Sequence, residues 1–398
     1  MKMKFGIRGV TLNWNFCWAS LAFANISGAG EISIALYIYI LTFLFFFMLA
    51  YSFIYNRLAI SNHYVTKYHI NEMAVKYFSL IMVLICVLYS FKAYNMMMSM
   101  PIWEYRAKAF GDSSEASVLF GSQVFRIIYS IFVEGGIYFL QFYFLAKYYL
   151  TSNVRYVLFG GFFILTMSFI MLGRSPIYYY FLLFSFLFLN LNKSSLGKYL
   201  LILLSGFCIL YGATFFRAGG QLDIISFIYK YLVGYHTYGF NLLERGVNFT
   251  SLNSLWFGQA TLGSFSYFLL YPIEKVFDIG LLYFNSDAYV MKQEFVVLSS
   301  GDEANAFYTI FYDMYQDFYL LGTVVYGLIF GGIYAYFQKK MDLDCHNIYT
   351  VMCYLLCLNI SFGMIFRNPL ATNGFVGMFI YMFIFLIISN IKYKSFRV

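Results

Sequence analysis

Apolar residues follow one another without strand-like alternation in ten stretches of the chain, at 10–26, 32–55, 77–97, 123–146, 156–172, 177–191, 199–216, 318–337, 348–366 and 374–391. A hydrocarbon layer about 30 Å thick takes roughly 20 apolar residues as a helix. The other way to satisfy a backbone in lipid is a closed barrel, whose strands alternate. The pattern therefore predicts an all-α fold, a polytopic helical membrane protein of about ten transmembrane helices forming a single integral domain over 1–398. Composition agrees: 62% of residues are apolar and 11% charged, against about 45–50% and 25% in a soluble domain. Within the eighth span, Gly327 and Gly331 form a GxxxG, a motif for close helix packing.

Orientation follows from Lys and Arg, which cytoplasmic loops retain. An inside N-terminus assigns to the cytoplasm Lys2, Lys4 and Arg8, then Arg57, Lys67 and Lys76, Lys147 and Arg155, Lys193 and Lys198, Lys339 and Lys340, and Lys392, Lys394 and Arg397. The short outward loops hold Arg106, Lys108, Arg174 and Arg367. Both termini are then cytoplasmic. Ala22-Phe23-Ala24 behind a basic start has the look of a signal-peptidase site, but Asn13, Asn15 and two Trp suit a packed, uncleaved first helix better. Cys17, Cys86, Cys208, Cys353 and Cys357 fall in helices and Cys345 on the cytoplasmic side, with no metal or disulfide spacing. The net charge of +8 is the excess of the inner loops and implies no nucleic-acid partner.

Between the seventh and eighth spans, 217–304 forms a large outward loop with charges of both signs, among them Arg217, Lys230, Asp223, Glu244 and Asp302. Its apolar stretches, 222–233 and 265–271, are too short to span. In the first, Leu222, Ile225, Tyr229 and Leu232 share a helical face, as in a helix lying at the membrane interface. A pair of crossings at 262–271 is the alternative.

Four arginines lie at or near the outer surface: Arg174, Arg217, Arg245 and Arg367. A guanidinium is a permanently charged planar fork matched to phosphate oxygens, so converging arginines suit a diphosphate; arginines beside spans also snorkel to headgroups. Asn305, Thr309, Asp313 and Asp317 recur every four residues and would form one polar stripe into the eighth span. Two carboxylates a turn apart are a route to a general base or acid, or an acidic helix start favourable for the dipole. Tyr308, Tyr312 and Tyr315, with Tyr235, are candidate platforms for sugar rings. His236 is the histidine of the outward loop and a candidate base. Glu134, before Gly135-Gly136, is a carboxylate deep within a span, functional by default unless it serves a structural hydrogen bond.

In layout the chain resembles the O-antigen polymerases, the Wzy-type oligosaccharide repeat-unit polymerases of bacterial surface polysaccharide synthesis. The resemblance rests on Asn305, Thr309, Asp317-Phe318 and Gly322, with Tyr319 where the family has Gly. It rests also on Arg217 followed by Tyr231-Leu232-Val233-Gly234, and on Gly173-Arg174-Ser175. It implies a GT-C-like enzyme of the bacterial inner membrane with its site facing the periplasm. The implied reaction moves a growing glycan from one undecaprenyl-pyrophosphate carrier to the non-reducing end of another carrier's repeat unit, without metal or other cofactor. Donor and acceptor are both lipid-linked oligosaccharides, and a chain-length regulator protein is an admissible partner. On this reading Arg217, Arg174, Arg245 and Arg367 hold the pyrophosphate, and Asp317, Asp313 or His236 takes the proton. Asn305, Tyr312 and Tyr235 contact glycan. A lipid-linked oligosaccharide flippase and an O-antigen ligase are the competing readings.

Overall fold

The computed structural model describes residues 6–58, 70–102, 104–105, 119–191, 196–217, 221–249, 255–277, 280, 282–292, 294–304 and 308–395. Almost all of them are helical. Each of the ten apolar runs is met by a helix: α1 Ile7–Phe23, α2 Ile34–Arg57, α3 Glu72–Ser99, α4 over 123–151, α5 Val154–Met171, α6 Ser175–Leu191, α7 Leu196–Arg217 and, after the large loop, α13 Gly322–Leu343, α14 Ile348–Gly363 and α15 Asn373–Ser395. Five segments are long and apolar enough to cross a membrane: Ile34–Arg57, Glu72–Ser99, Val124–Thr151, Val154–Met171 and Ile310–Leu343. Starts are set by side-chain caps. Ser33 Oγ accepts from the Leu36 amide at 3.2 Å, Asn71 Oδ1 from Ala74 at 3.3 Å and Asn347 Oδ1 from Tyr349 at 3.0 Å, each satisfying an amide that the first turn leaves orphaned. The α5–α6 turn is short because Leu172 takes a left-handed conformation (φ 44°).

The bundle is organised around α14, buried on nearly every face and packed against α1, α4, α6 and α13. Its contact with α1 is partly polar. The hydroxyls of Thr11 and Ser361 lie 2.7 Å apart, and Asn15 Nδ2 donates to Thr11 O at 2.9 Å. The first helix is thus an integral core element. The tightest pair is α2 with α13. A Cβ on Gly327 would come within 3.0 Å of Phe43 O, and one on Gly331 would run into Phe47 O. The GxxxG therefore works as expected, letting two backbones touch, while Phe43 and Phe47 pack edge-on against Phe330 and Tyr334. A second close crossing joins α4 to α15, where a Cβ on Gly377 would collide with Ile131 O. Here α4 carries a π-helical turn, Tyr129–Glu134, between its α-helical parts Gln123–Ile128 and Gly135–Thr151.

The two ends of the bundle differ. At one, Gln338 accepts from the Ile7 amide at 3.0 Å, Tyr55 donates to Asp342 at 2.6 Å, and Lys147 pairs with Glu72. The helix termini carrying Arg8, Arg57, Lys76, Arg155, Lys339 and Lys340 also lie here. The other end carries the large loop. Its principal element is α8, a continuous helix over 224–249 whose Phe227–Gly234 portion is π-helical. It is longer than the 222–233 expected, yet Ile225 and Tyr229 are exposed as an interfacial face requires. Then follow α9 Gln259–Leu262, α10 Ser264–Phe277, α11 Asp287–Met291, a small antiparallel pair of β1 Val296–Val297 with β2 Glu303–Ala304, and α12 Ile310–Phe318. In place of a pair of crossings at 262–271 there is one helix, α10, about 21 Å long at 1.5 Å per residue. It leans on α15 through Phe265 and Phe379 and leaves Phe268, Leu269, Val276 and Phe277 exposed.

Candidate functional site

The polar stripe is shorter than its four-residue spacing predicts. The helix begins at Ile310 with Thr309 at the N-cap position, and Asn305 lies outside the described residues. Thr309, Asp313 and Asp317 do share one face, but all three are fully buried, so the stripe is no exposed acidic helix start. Asp317 accepts the amides of Ala260 and Thr261, both at 2.9 Å, and the Tyr326 hydroxyl at 2.7 Å. Asp313 pairs with Lys292 and accepts from Asn368 Nδ2 at 2.9 Å, and the same amide group donates to Thr261 O at 2.7 Å. The two carboxylates thus hold loop backbone against α12. Tyr308, Tyr312 and Tyr315 are buried as well, with Tyr312 against Gly246 of α8, and none presents an open ring face.

The turn after α12 explains the resembled motif physically. Tyr319, at the position where the family has Gly, adopts φ 50° and ψ −135°, a conformation that glycine reaches without steric cost. A Cβ on Gly322 would collide with Met314 O, so the turn needs a glycine there to fold α13 back onto α12.

The exposed-side chemistry gathers elsewhere, around the start of α6. Arg174 donates from Nη1 to Thr214 Oγ1 at 3.3 Å and from Nη2 to the Tyr235 hydroxyl at 2.9 Å. Its guanidinium lies 4.3 Å from the Tyr231 ring centroid and 5.1 Å from that of Tyr235, within cation–π range. The Gly-Arg-Ser turn and the Tyr-Leu-x-Gly segment, far apart in sequence, therefore meet. Gly234 serves that segment by leaving room for Tyr238, whose ring a Cβ there would meet at 2.5 Å. Tyr238 in turn donates to Asp302, which pairs with Lys230 at 2.5 Å. Burial opposes it, but the bonds from Lys230 and Tyr238 hold the Asp302 carboxyl below its usual range.

One turn along α6, the Tyr178 hydroxyl lies 2.5 Å from His236 Nε2. The other ring nitrogen, Nδ1, bonds the Leu232 carbonyl inside the π-helical stretch. A carbonyl only accepts, so Nδ1 carries the proton, and Nε2 accepts from Tyr178. The imidazole is 3% exposed and enclosed by rings: stacked on Trp18 at 4.0 Å, with Phe366 at 4.3 Å, Tyr178 at 5.4 Å and Trp14 at 5.6 Å. Burial pushes its pKa down to about 3, against the bond to Leu232. It is a neutral histidine.

Next to Phe366, Arg367 is exposed and interacts electrostatically with Glu134, Tyr138 and Tyr179. Arg174, Tyr178, His236, Arg367 and Glu134 are therefore linked through contiguous neighbours at one end of the bundle. Arg217 ends α7 one turn beyond Thr214, and its side chain lies outside the described residues. Arg245 does not join the group: it is ten residues beyond Tyr235 on α8, about 15 Å along the axis, facing Tyr308. Sequence reasoning missed Tyr178 and the partners of the carboxylates, Lys292, Asn368 and Tyr326. The four-residue step from Arg174 to Tyr178 was a usable signal, whereas the carboxylate partners come from remote segments. Among the described residues no three His, Cys, Asp or Glu side chains gather as a metal site would need. No protein-family model matches the chain, and no curated protein or solved structure matches it either.

Proposed function

We propose that the chain is a bacterial inner-membrane glycosyltransferase of the O-antigen polymerase type, crossing the bilayer ten times with both termini in the cytoplasm. It transfers a growing glycan from undecaprenyl pyrophosphate to the non-reducing end of a second lipid-linked repeat unit at the periplasmic face. The observation that supports this most is the meeting of Arg174 with the Tyr231–Gly234 segment, His236 and Arg367, all at the end of the bundle opposite the basic helix termini. Departure of a lipid pyrophosphate builds negative charge at headgroup depth, and preorganised cations are what such a transition state needs. Arg174 is held by two of its five N–H donors, which leaves three for phosphate oxygens. Arg217 and Arg367 complete the anion site. Asp313 and Asp317 keep the loop in place, and His236, neutral and fully bonded, fixes the Tyr178 hydroxyl beside Arg174.

Arg174→Ala in the native host tests this. Surface glycan is read on a gel, with membrane level of the protein measured in parallel. The expected outcome is a core bearing one repeat in place of long chains, from a rate loss of roughly 10²–10³ at normal protein level. An unchanged ladder would refute the role of Arg174. Deleting the whole gene separates the competing readings: a ligase leaves no repeat on the core, and a flippase strands repeats at the cytoplasmic face.

A further inference from the structure

We propose that Glu134 is the catalytic base of this transfer, facing Arg367 across the acceptor position; the assignment rests on the transferase reading above. Glu134 closes the π-helical turn Tyr129–Glu134 of α4, and such turns, which re-aim side chains out of helical register, concentrate at functional sites. Its side chain is 8% exposed. Ser130 and the cations Arg367 and Arg126 interact with the carboxylate, yet Oε1 has no hydrogen-bond partner. A buried carboxylate retained only for structure has its oxygens satisfied, as those of Asp313 and Asp317 are.

The surroundings fit a proton acceptor beside a diphosphate. Arg367 is exposed while Glu134 is not, so the guanidinium stands between the open end of the bundle and the carboxylate. Tyr138 and Tyr179 interact with the same guanidinium. Gly374 at the start of α15 keeps the place open: a Cβ there would meet the Tyr138 ring at 2.7 Å and Glu134 Cβ at 3.3 Å. In the reaction the acceptor hydroxyl gives its proton to Glu134 Oε1 and its oxygen bonds the anomeric carbon. The bond from that carbon to the phosphate oxygen breaks, and the electron pair leaves on the lipid diphosphate, opposite Arg174 and Arg367. Glu134 then passes the proton to water.

The test uses the full chain in lipid nanodiscs, with undecaprenyl-pyrophosphate-linked repeat units from the native host as donor and acceptor. Undecaprenyl pyrophosphate alone is the binding probe. Glu134→Gln is expected to lower transfer by at least about a hundredfold, the scale of general-base catalysis, with probe binding unchanged. Glu134→Asp is expected to keep part of the rate with a displaced acid limb in its pH–rate profile. Transfer by Glu134→Gln at the wild-type rate, or loss of transfer and probe binding together, overturns the assignment and leaves the transferase reading standing. A wild-type protein that neither transfers nor binds the probe overturns both. If Glu134→Gln does not assemble, the Glu134→Asp profile decides, and an acid limb coincident with wild type overturns the base.

Discussion

A single imidazole shows how burial sets chemistry. His236 is neutral because its ring is enclosed by Trp14, Trp18, Tyr178 and Phe366 and cannot hold a charge there. The unfolded chain's histidine titrates near 6.5 and the folded one near 3, so between those values the unfolded state binds the proton and the folded state does not. Its contribution to stability is present above about pH 6.5 and is lost by up to about 1.4 kcal/mol per unit as pH falls towards 3. Thermal unfolding in detergent at stepped pH is expected to give a shallower acid slope for His236→Gln than for wild type; equal slopes would contradict a neutral, enclosed ring. The sequence marked His236 as a histidine of the outward loop, but its ring partners lie on α1, α6 and the turn after α14, and no local pattern announces them. The same limit applies to Asp313 and Asp317. Their four-residue spacing predicted one face correctly, while Lys292, Asn368 and Tyr326, which take up those carboxylates, belong to other elements.

At the scale of elements, unbroken apolar runs locate helices well because a lipid-facing backbone must close its own hydrogen bonds. Boundaries followed caps such as Ser33 and Asn71. The π-helical turns in α4 and α8 were not legible, since an inserted residue leaves composition unchanged and shows only in which carbonyls are displaced. Glycine spacing was legible where it mattered most. Gly331→Leu is expected to drive a side chain into the Phe47 carbonyl, costing about 1–3 kcal/mol as overpacking does and lowering both thermal stability and membrane level. Ile329→Leu, two residues away on an exposed face, is the matched control with no expected effect. A Gly331→Leu protein as stable as the control would mean that α2 and α13 do not touch there.

For the whole molecule, the distribution of basic residues and the placement of the large loop at the opposite end carry the topology. A cysteine introduced as Ser300→Cys, in a background without other cysteines, is expected to react with a membrane-impermeant maleimide in intact cells. His346→Cys is expected to react only after the membrane is opened. The reverse pattern would turn the molecule over and remove the periplasmic chemistry. The segment between α7 and α13 is also fastened to the rest. Ser33 donates to Glu244, Asn241 to Gly30 O, and Ser299 to Ala29 O, while Asp317 grips the amides of Ala260 and Thr261. Swinging that roof upward would strand a bare carboxylate and two amide hydrogens in greasy surroundings. A carrier with a long hydrocarbon tail therefore has no trapdoor overhead. Its way in and out runs sideways, through a gap in the wall that the lipid itself lines.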